Sequence, residues 1–363
     1  MLWLLVGLAL FVAFSNGAND NFKGFATVWG SDTLRYRPAL ALATLATLAG
    51  SLASVVLAHG LLQQFSGKGM VPDAVASAPL FIMAVAAGTA ATVLLATRMG
   101  LPISTTHALI GALVGAGLSQ NGAEVHFNTL AQSFLLPLLL SPVLAALLGA
   151  MVVRLMRKAS PRQDCACVVL PVPATQSATA ILPRHALQAP RILIASDAVC
   201  EKLDTPVRVS VSRGMDRLHI GSAMLICFAR AVNDTPKLAA LLMAAQAFHA
   251  QLSIALVGVA MAIGGLLFSG RVAQTMSRDL TQMDHAQGLG ANAITAGLVL
   301  LASNFGLPVS TTHVALGSIA GVGAGSHTLN WPTLRKVLLS WVATLPLSLL
   351  IAGAAFQLLQ AVA

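Results

Sequence analysis

Residues 286–334 contain no Asp, Glu, Lys or Arg across 49 consecutive positions, and residues 238–270 contain none across 33. An α-helix crosses the hydrocarbon core of a bilayer in about 20 apolar residues. Each of these runs is therefore long enough for more than one membrane segment, divided at His249 and at the turn signals Asn304, Gly306 and Pro308. Shorter uncharged runs lie at 39–58, 78–97, 129–153 and 337–363. Charged residues make up only 9% of the 363, and 56% are apolar. A soluble domain carries about a quarter charged residues and cannot hide so much apolar side chain. Disordered chains are excluded by the same numbers. The net charge of +9 does not indicate a nucleic-acid binder, because the charges avoid the apolar runs. The remaining class is an all-α polytopic membrane protein.

Residues 1–14 are apolar but lack a preceding basic cluster, and they lead into Asn19-Asp20 instead of a small-residue cleavage site. They read as the start of a first helix. The four cysteines, Cys165, Cys167, Cys200 and Cys227, do not form a disulfide framework. Cys165-x-Cys167 lacks the second ligand pair a structural metal needs. Residues 154–217 differ from everything around them. They hold ten of the 21 Lys and Arg, five of the 12 Asp and Glu, and a polar stretch at 175–179. They read as a hydrophilic cytoplasmic linker, able to hold a short amphipathic helix, between a first membrane repeat (1–153) and a second (218–363).

The two flanks repeat each other. Gly100-Leu-Pro-Ile-Ser-Thr-Thr-His107 recurs as Gly306-Leu-Pro-Val-Ser-Thr-Thr-His313, an offset of 206, and Gly111, Gly115 and Gly117 recur at that offset as Gly317, Gly321 and Gly323. Asn19-Asp20-x-x-Lys23 recurs as Asn233-Asp234-x-x-Lys237, an offset of 214. With the N-terminus outside and five crossings per half, 17 of the 21 Lys and Arg fall on the cytoplasmic side. Five is odd, so the second half enters from the opposite face. The expected architecture is two inverted-topology repeats with discontinuous or re-entrant helices, as in many secondary transporters.

Gly-Leu-Pro followed by Ser-Thr-Thr reads as a helix start, with proline and a hydroxyl cap at the first positions. A helix starting inside the membrane presents unpaired N–H groups and the positive end of its dipole, which suits an anion. Ser104, Thr105, Thr106, Ser310, Thr311 and Thr312 add hydroxyl donors. Asp20 and Asp234 are ionisable groups in apolar segments, and such groups default to function. Each could hold a coupling cation or accept a hydrogen bond from a protonated substrate. Asn19 and Asn233 can both donate and accept. The segments before the two Asn-Asp motifs, 1–14 and 218–229, are too short to cross alone, so both helices are expected to be interrupted there. Lys23 and Lys237 could neutralise the aspartates, touch the anion or reach an interface. His107 and His313 could carry a proton or bond the backbone. Arg230 has Asn16 at its counterpart position and no assigned role.

At these residues the chain resembles the inorganic phosphate transporter family of phosphate permeases. The resemblance rests on Gly17-Ala-Asn19-Asp20, the second Asn-Asp motif and the two Gly-x-Pro-x-Ser-Thr-Thr-His segments, and it covers both membrane halves. It implies external termini, a cytoplasmic linker and symport of phosphate with H⁺ or Na⁺. It implies a site containing Asn19, Asp20, Thr105, Thr106, Asn233, Asp234, Thr311 and Thr312, with Na⁺ near Asp20 and Asp234. The family pattern usually continues Asn-Asp-x-Ala-Asn, whereas lysine ends the motif here in both halves. An ammonium in that place can stand in for a bound Na⁺. A permease for sulfate or another tetrahedral oxyanion would use the same donors. A scaffold or sensor would not need matched ionisable motifs, and Ser104 with His107 lacks the acid partner an enzyme needs. The expected partners are inorganic phosphate and the lipid bilayer, with no nucleic acid and no cofactor. The expected location is the inner membrane of a bacterium, where a homodimer is compatible with the architecture.

Overall fold

The computed structural model describes residues 1–57, 71–120, 125–156, 165–169, 191–195, 208–244, 246 and 248–362. Lys68, Cys200 and the polar stretch 175–179 lie outside these residues. The chain divides into two compact units, one of residues 1–154 and 219–363 and one of residues 155–218.

The larger unit is helical. Among the described residues, seven helical stretches are long and apolar enough to cross a membrane, and a shorter apolar helix spans Thr105–Ser119. Helix α1 (Leu2–Asp20) tightens through a 3₁₀ turn at Lys23–Phe25 into α2 (Ala26–Gly30), and α3 follows at Tyr36–Leu57. Helix α4 (Pro79–Arg98) opens with proline at its first position, where the missing N–H costs nothing. It turns back into α5 (Thr105–Ser119), and α6 is Leu136–Met156. The second half repeats the plan with α7 (Val211–Ala244), α8 (Ala250–Phe268), α9 (His285–Asn304), α10 (Thr311–Ser326) and α11 (Trp331–Val362).

The Gly-Leu-Pro-x-Ser segments turn as their residues require. Gly100 and Gly306 take φ of 72° and 66°, a left-handed conformation that a Cβ would strain. Ser104 and Ser310 then cap α5 and α10, their hydroxyls accepting from the His107 and His313 N–H groups at 3.1 and 3.2 Å. This short turn joins α4 to α5 and α9 to α10, making a helical hairpin in each half.

The repeated glycines explain how the halves interlock. Gly111 and Gly115 of α5 lie against the backbone of Leu345 and Leu349 on α11. Gly317 and Gly321 of α10 lie against Pro142 and Ala146 on α6. Each hairpin is therefore clasped by the last helix of the other half. Close backbone approach of this kind is how small residues hold membrane helices together, since lipid gives no hydrophobic drive between them. Large apolar side chains stay exposed on the outer faces, including Leu52 and Val56 on α3, Leu139 and Leu147 on α6, and Val342 and Leu350 on α11. They face lipid chains.

One expectation is corrected. Only the first Asn-Asp motif ends its helix; α7 runs without interruption through Asn233, Asp234 and Pro236. Membrane helices tolerate an internal proline where neighbouring groups satisfy the freed carbonyl, so Pro236 does not break the helix there. In the second unit, β1 (Cys165–Val169) pairs antiparallel with β2 (Arg191–Ala195) and with β3 (Arg208–Ser210), in the order β2-β1-β3. These three stretches are strands, in keeping with their Val and Ile content, while residues 211–217 begin α7.

Candidate functional site

The hairpin turn of the first half meets the cap of the second. Thr312 donates its hydroxyl to the Ile103 carbonyl at 2.9 Å, and the Lys23 ammonium bridges both, at 2.6 Å from Thr312 Oγ1 and 2.9 Å from Ile103 O. Lys23 also donates to Asp20 Oδ1 at 2.5 Å and Asn19 Oδ1 at 2.9 Å. The Asn19 amide is fixed in turn by Thr97 Oγ1 and the Leu101 carbonyl, at 2.9 and 3.1 Å. Lys23 is thus enclosed by four oxygens: a carboxylate, an amide carbonyl, a backbone carbonyl and a hydroxyl from the opposite half. It is only 4% exposed, so it does not reach an interface.

The second half builds the corresponding cage. Lys237 donates to the Val309 carbonyl at 2.9 Å and to Thr106 Oγ1 at 3.1 Å, and lies 3.6 Å from Asp234 Oδ1. Val309 and Thr106 stand to Lys237 as Ile103 and Thr312 stand to Lys23. Asn233 is turned the other way: its amide donates to Asp234 Oδ1 and to the Val309 carbonyl, and its own carbonyl accepts from Ser303. Lys237 is 2% exposed. The alternative in which either lysine snorkels to water is overturned by this burial.

Asn16 joins the two cages, and the sequence reading gave it no role. Its amide lies 3.1 Å from Asp20 Oδ2, 3.0 Å from Thr105 Oγ1 and 3.4 Å from Asp234 Oδ2, and its carbonyl accepts from Arg230 at 3.1 Å. The signal that could have found it was its pairing with Arg230 at the repeat offset. Beside Asn16 is a small cavity of about 10 Å³, lined by Asn16, Thr105, Thr106, Leu109, Asp234, Lys237 and Leu238. Four of the sequence candidates, Thr105 and Thr106 of the first hydroxyl cluster and Asp234 and Lys237 of the second motif, therefore share one wall. Asn19, Asp20, Lys23 and Thr312 are buried but do not line it. Thr311 is buried but is not among the lining residues. Ser104 and Ser310 act as caps. His107 and His313 meet ring to ring at 4.4 Å, with His313 stacked on Trp341 at 3.7 Å.

The wall is chemically suited to a small hydrated oxyanion. Hydroxyls, an amide and an ammonium can donate to its oxygens, and one carboxylate can accept from a protonated oxygen. Two caged cations leave the aspartates already neutralised. Away from this centre, the exposed Asp32 carboxylate binds Arg278 at 2.5 and 3.2 Å. That hydrogen bonding to the guanidinium holds its pKa below the ordinary 3.8.

The description of a phosphate transporter family matches residues 16–352. A relative in Mycobacterium bovis named "Probable low-affinity inorganic phosphate transporter" is 27% identical over 99% of this chain and 78% of its own length. A relative of the same name in Mycobacterium leprae is 25% identical over 96% and 75%. A solved structure titled "The sodium-dependent phosphate transporter" aligns with a TM-score of 0.75 at 21% identity, covering 100% of this chain and 99% of that one. This likeness is one of fold.

Proposed function

The chain belongs to the phosphate transporter family, and we propose that it carries inorganic phosphate across the membrane by secondary transport through the cavity lined by Asn16, Thr105, Thr106, Asp234 and Lys237. The observation that supports this reading best is convergence. Residues far apart in sequence, from both repeats, line a single cavity, and they offer hydroxyl, amide and ammonium donors and a carboxylate acceptor. Thr105, Thr106 and the Asn16 amide would bind phosphate oxygens. Asp234 would accept a hydrogen bond from a protonated phosphate oxygen. Sulfate has no such proton at neutral pH, so a carboxylate in the wall favours phosphate over sulfate. The hairpin contacts through Lys23, Thr312 and Ile103 would form and part as the two halves rock against each other, the motion expected of inverted repeats.

The coupling ion in this reading is H⁺. Each Asp-containing cage already encloses an ammonium whose oxygen partners are those a Na⁺ would use. A further cation there would meet like charge at contact distance. The termini are read as external, the linker as cytoplasmic, and the membrane as the inner membrane of a bacterium, from the Lys and Arg distribution. The deciding experiment is labelled phosphate uptake into proteoliposomes, with gradients imposed one ion at a time and sulfate as competitor. The expected result is uptake driven by a proton gradient, undiminished when choline replaces Na⁺ and resistant to excess sulfate. Strict Na⁺ dependence would overturn the coupling assignment, and equal competition by sulfate would overturn the substrate assignment.

A further inference from the structure

The repeat places Asn16 in the first half where the second half has Arg230, and this exchange decides the charge of the centre. Asp20 and Asp234 face Lys23, Lys237 and Arg230. With the imidazoles uncharged, the described residues of the centre therefore carry one positive charge more than negative. All five side chains are buried, and Arg230 is 1% exposed. A guanidinium carries five N–H donors and does not deprotonate in proteins. Here Nη1 donates to Asn16 Oδ1 at 3.1 Å and Nη2 to Thr47 Oγ1 at 2.8 Å, both uncharged acceptors. The nearest carboxylate oxygen, Asp234 Oδ2, lies 3.9 Å from Nη1, beyond hydrogen-bond reach. Nε is buried with no hydrogen-bond partner among the described residues. A buried cation with an unsatisfied donor is costly unless a counterion completes it.

We propose that Arg230 is the fixed countercharge for the transported anion, positioned against the cavity through Asn16. The inference rests on the transport reading and adds to it a specificity-determining residue. Asn16 is shared between the guanidinium and the cavity wall. An oxyanion bound beside it cancels the surplus charge, and a monoanion such as H₂PO₄⁻ cancels it in full. The empty protein then carries a destabilising surplus that the substrate removes.

Arg230→Gln and Arg230→Lys in the full chain test this by two measurements: thermal unfolding with and without inorganic phosphate, and phosphate uptake. Removing the surplus charge should raise the melting temperature of phosphate-free Arg230→Gln above wild type and abolish the rise that phosphate produces in wild type. Its half-saturation concentration should increase roughly tenfold or more, because the countercharge behind Asn16 is gone. Arg230→Lys keeps the charge and should keep both the phosphate-induced rise and most of the affinity. A purely structural arginine predicts the reverse: a lower melting temperature for phosphate-free Arg230→Gln, with its phosphate response and half-saturation unchanged. That result would overturn the proposal. If phosphate stabilised neither wild type nor the variants, the phosphate reading itself would fall, whereas a raised melting temperature in phosphate-free Arg230→Gln would still bear out the uncompensated charge.

Discussion

The cages around Lys23 and Lys237 come from the same motif read twice, yet they are not equally tight. Lys23 has four oxygen partners between 2.5 and 2.9 Å, and its aspartate is bound directly. Lys237 is 3.6 Å from Asp234, whose carboxylate also faces Asn233, Asn16 and, at 3.9 Å, Arg230. The exchange of Asn16 for Arg230 accounts for the difference. A third cation beside Asp234 competes with Lys237 for the same two oxygens, and Asn233 turns its amide inward to serve one of them. The cavity lies on this looser side. Two copies of one motif can thus hold their lysines at different distances from the carboxylate, and the copy with the longer contact is the one beside the cavity.

The sharpest way to break this comparison is to neutralise each carboxylate. Asp20→Asn and Asp234→Asn should each abolish phosphate uptake in proteoliposomes while the protein remains in the membrane. Near-normal transport by a well-expressed Asp20→Asn would show that the copy with the shorter contact is dispensable, and near-normal transport by Asp234→Asn would remove the proposed acceptor.

Deleting the ammonium groups should separate the copies by stability. Lys23→Met leaves Asp20 buried with the Asn16 amide as its remaining side-chain hydrogen bond among the described residues, and breaking a buried pair costs about 3–5 kcal/mol. Lys237→Met should cost less, because Arg230 and Asn233 remain beside Asp234. Thermal unfolding in detergent reads the order, and equal losses would mean the two cages are energetically alike.

The hydroxyls give a smaller contrast. Thr105→Val keeps shape but removes a donor from the cavity wall, and an unmet anion oxygen costs about 1–3 kcal/mol. The half-saturation concentration should rise roughly 5- to 150-fold. Thr311→Val, which does not line the cavity, should change it little. Equal effects would extend the binding surface to the second hydroxyl cluster.

The smallest effect belongs to Asp32. Its pKa is held below 3.8 in the folded protein by Arg278. The pair therefore adds stability above the unfolded carboxylate pKa and loses it as pH falls through the depressed folded value. Asp32→Asn should flatten the acid limb of the stability profile and leave neutral pH nearly untouched, since exposed ion pairs contribute little. An unchanged acid limb would place the pair outside the folding equilibrium.

Much of the centre was legible because its chemistry is local. Gly-Leu-Pro-x-Ser-Thr-Thr dictates a left-handed glycine, a turn and a capped helix within eight residues, and Gly100, Ser104 and their second-half counterparts do what that pattern requires. Asp20 and Asp234 stood out because an ionisable residue in an apolar run is rare. The lysines were ambiguous, since a long side chain can turn to water or inward and sequence spacing does not fix the direction. Asn16 was seen only as the counterpart of Arg230 and given no role, because a single amide in an apolar helix carries no charge and no motif. The strands at β1, β2 and β3 were obscured by a composition typical of linkers.

The sequence alone determined the membrane class, the duplication and the identity of the paired polar residues, because hydropathy, repeat offset and residue type are properties of the chain. Only the tertiary structure decided which half's hydroxyl meets which half's lysine. Thr312 closes on Lys23 and Thr106 on Lys237 because each hairpin packs on the other half's last helix through glycines 111, 115, 317 and 321. That crossing depends on backbones approaching without side chains between them, a contact between segments more than 170 residues apart that no local pattern can encode.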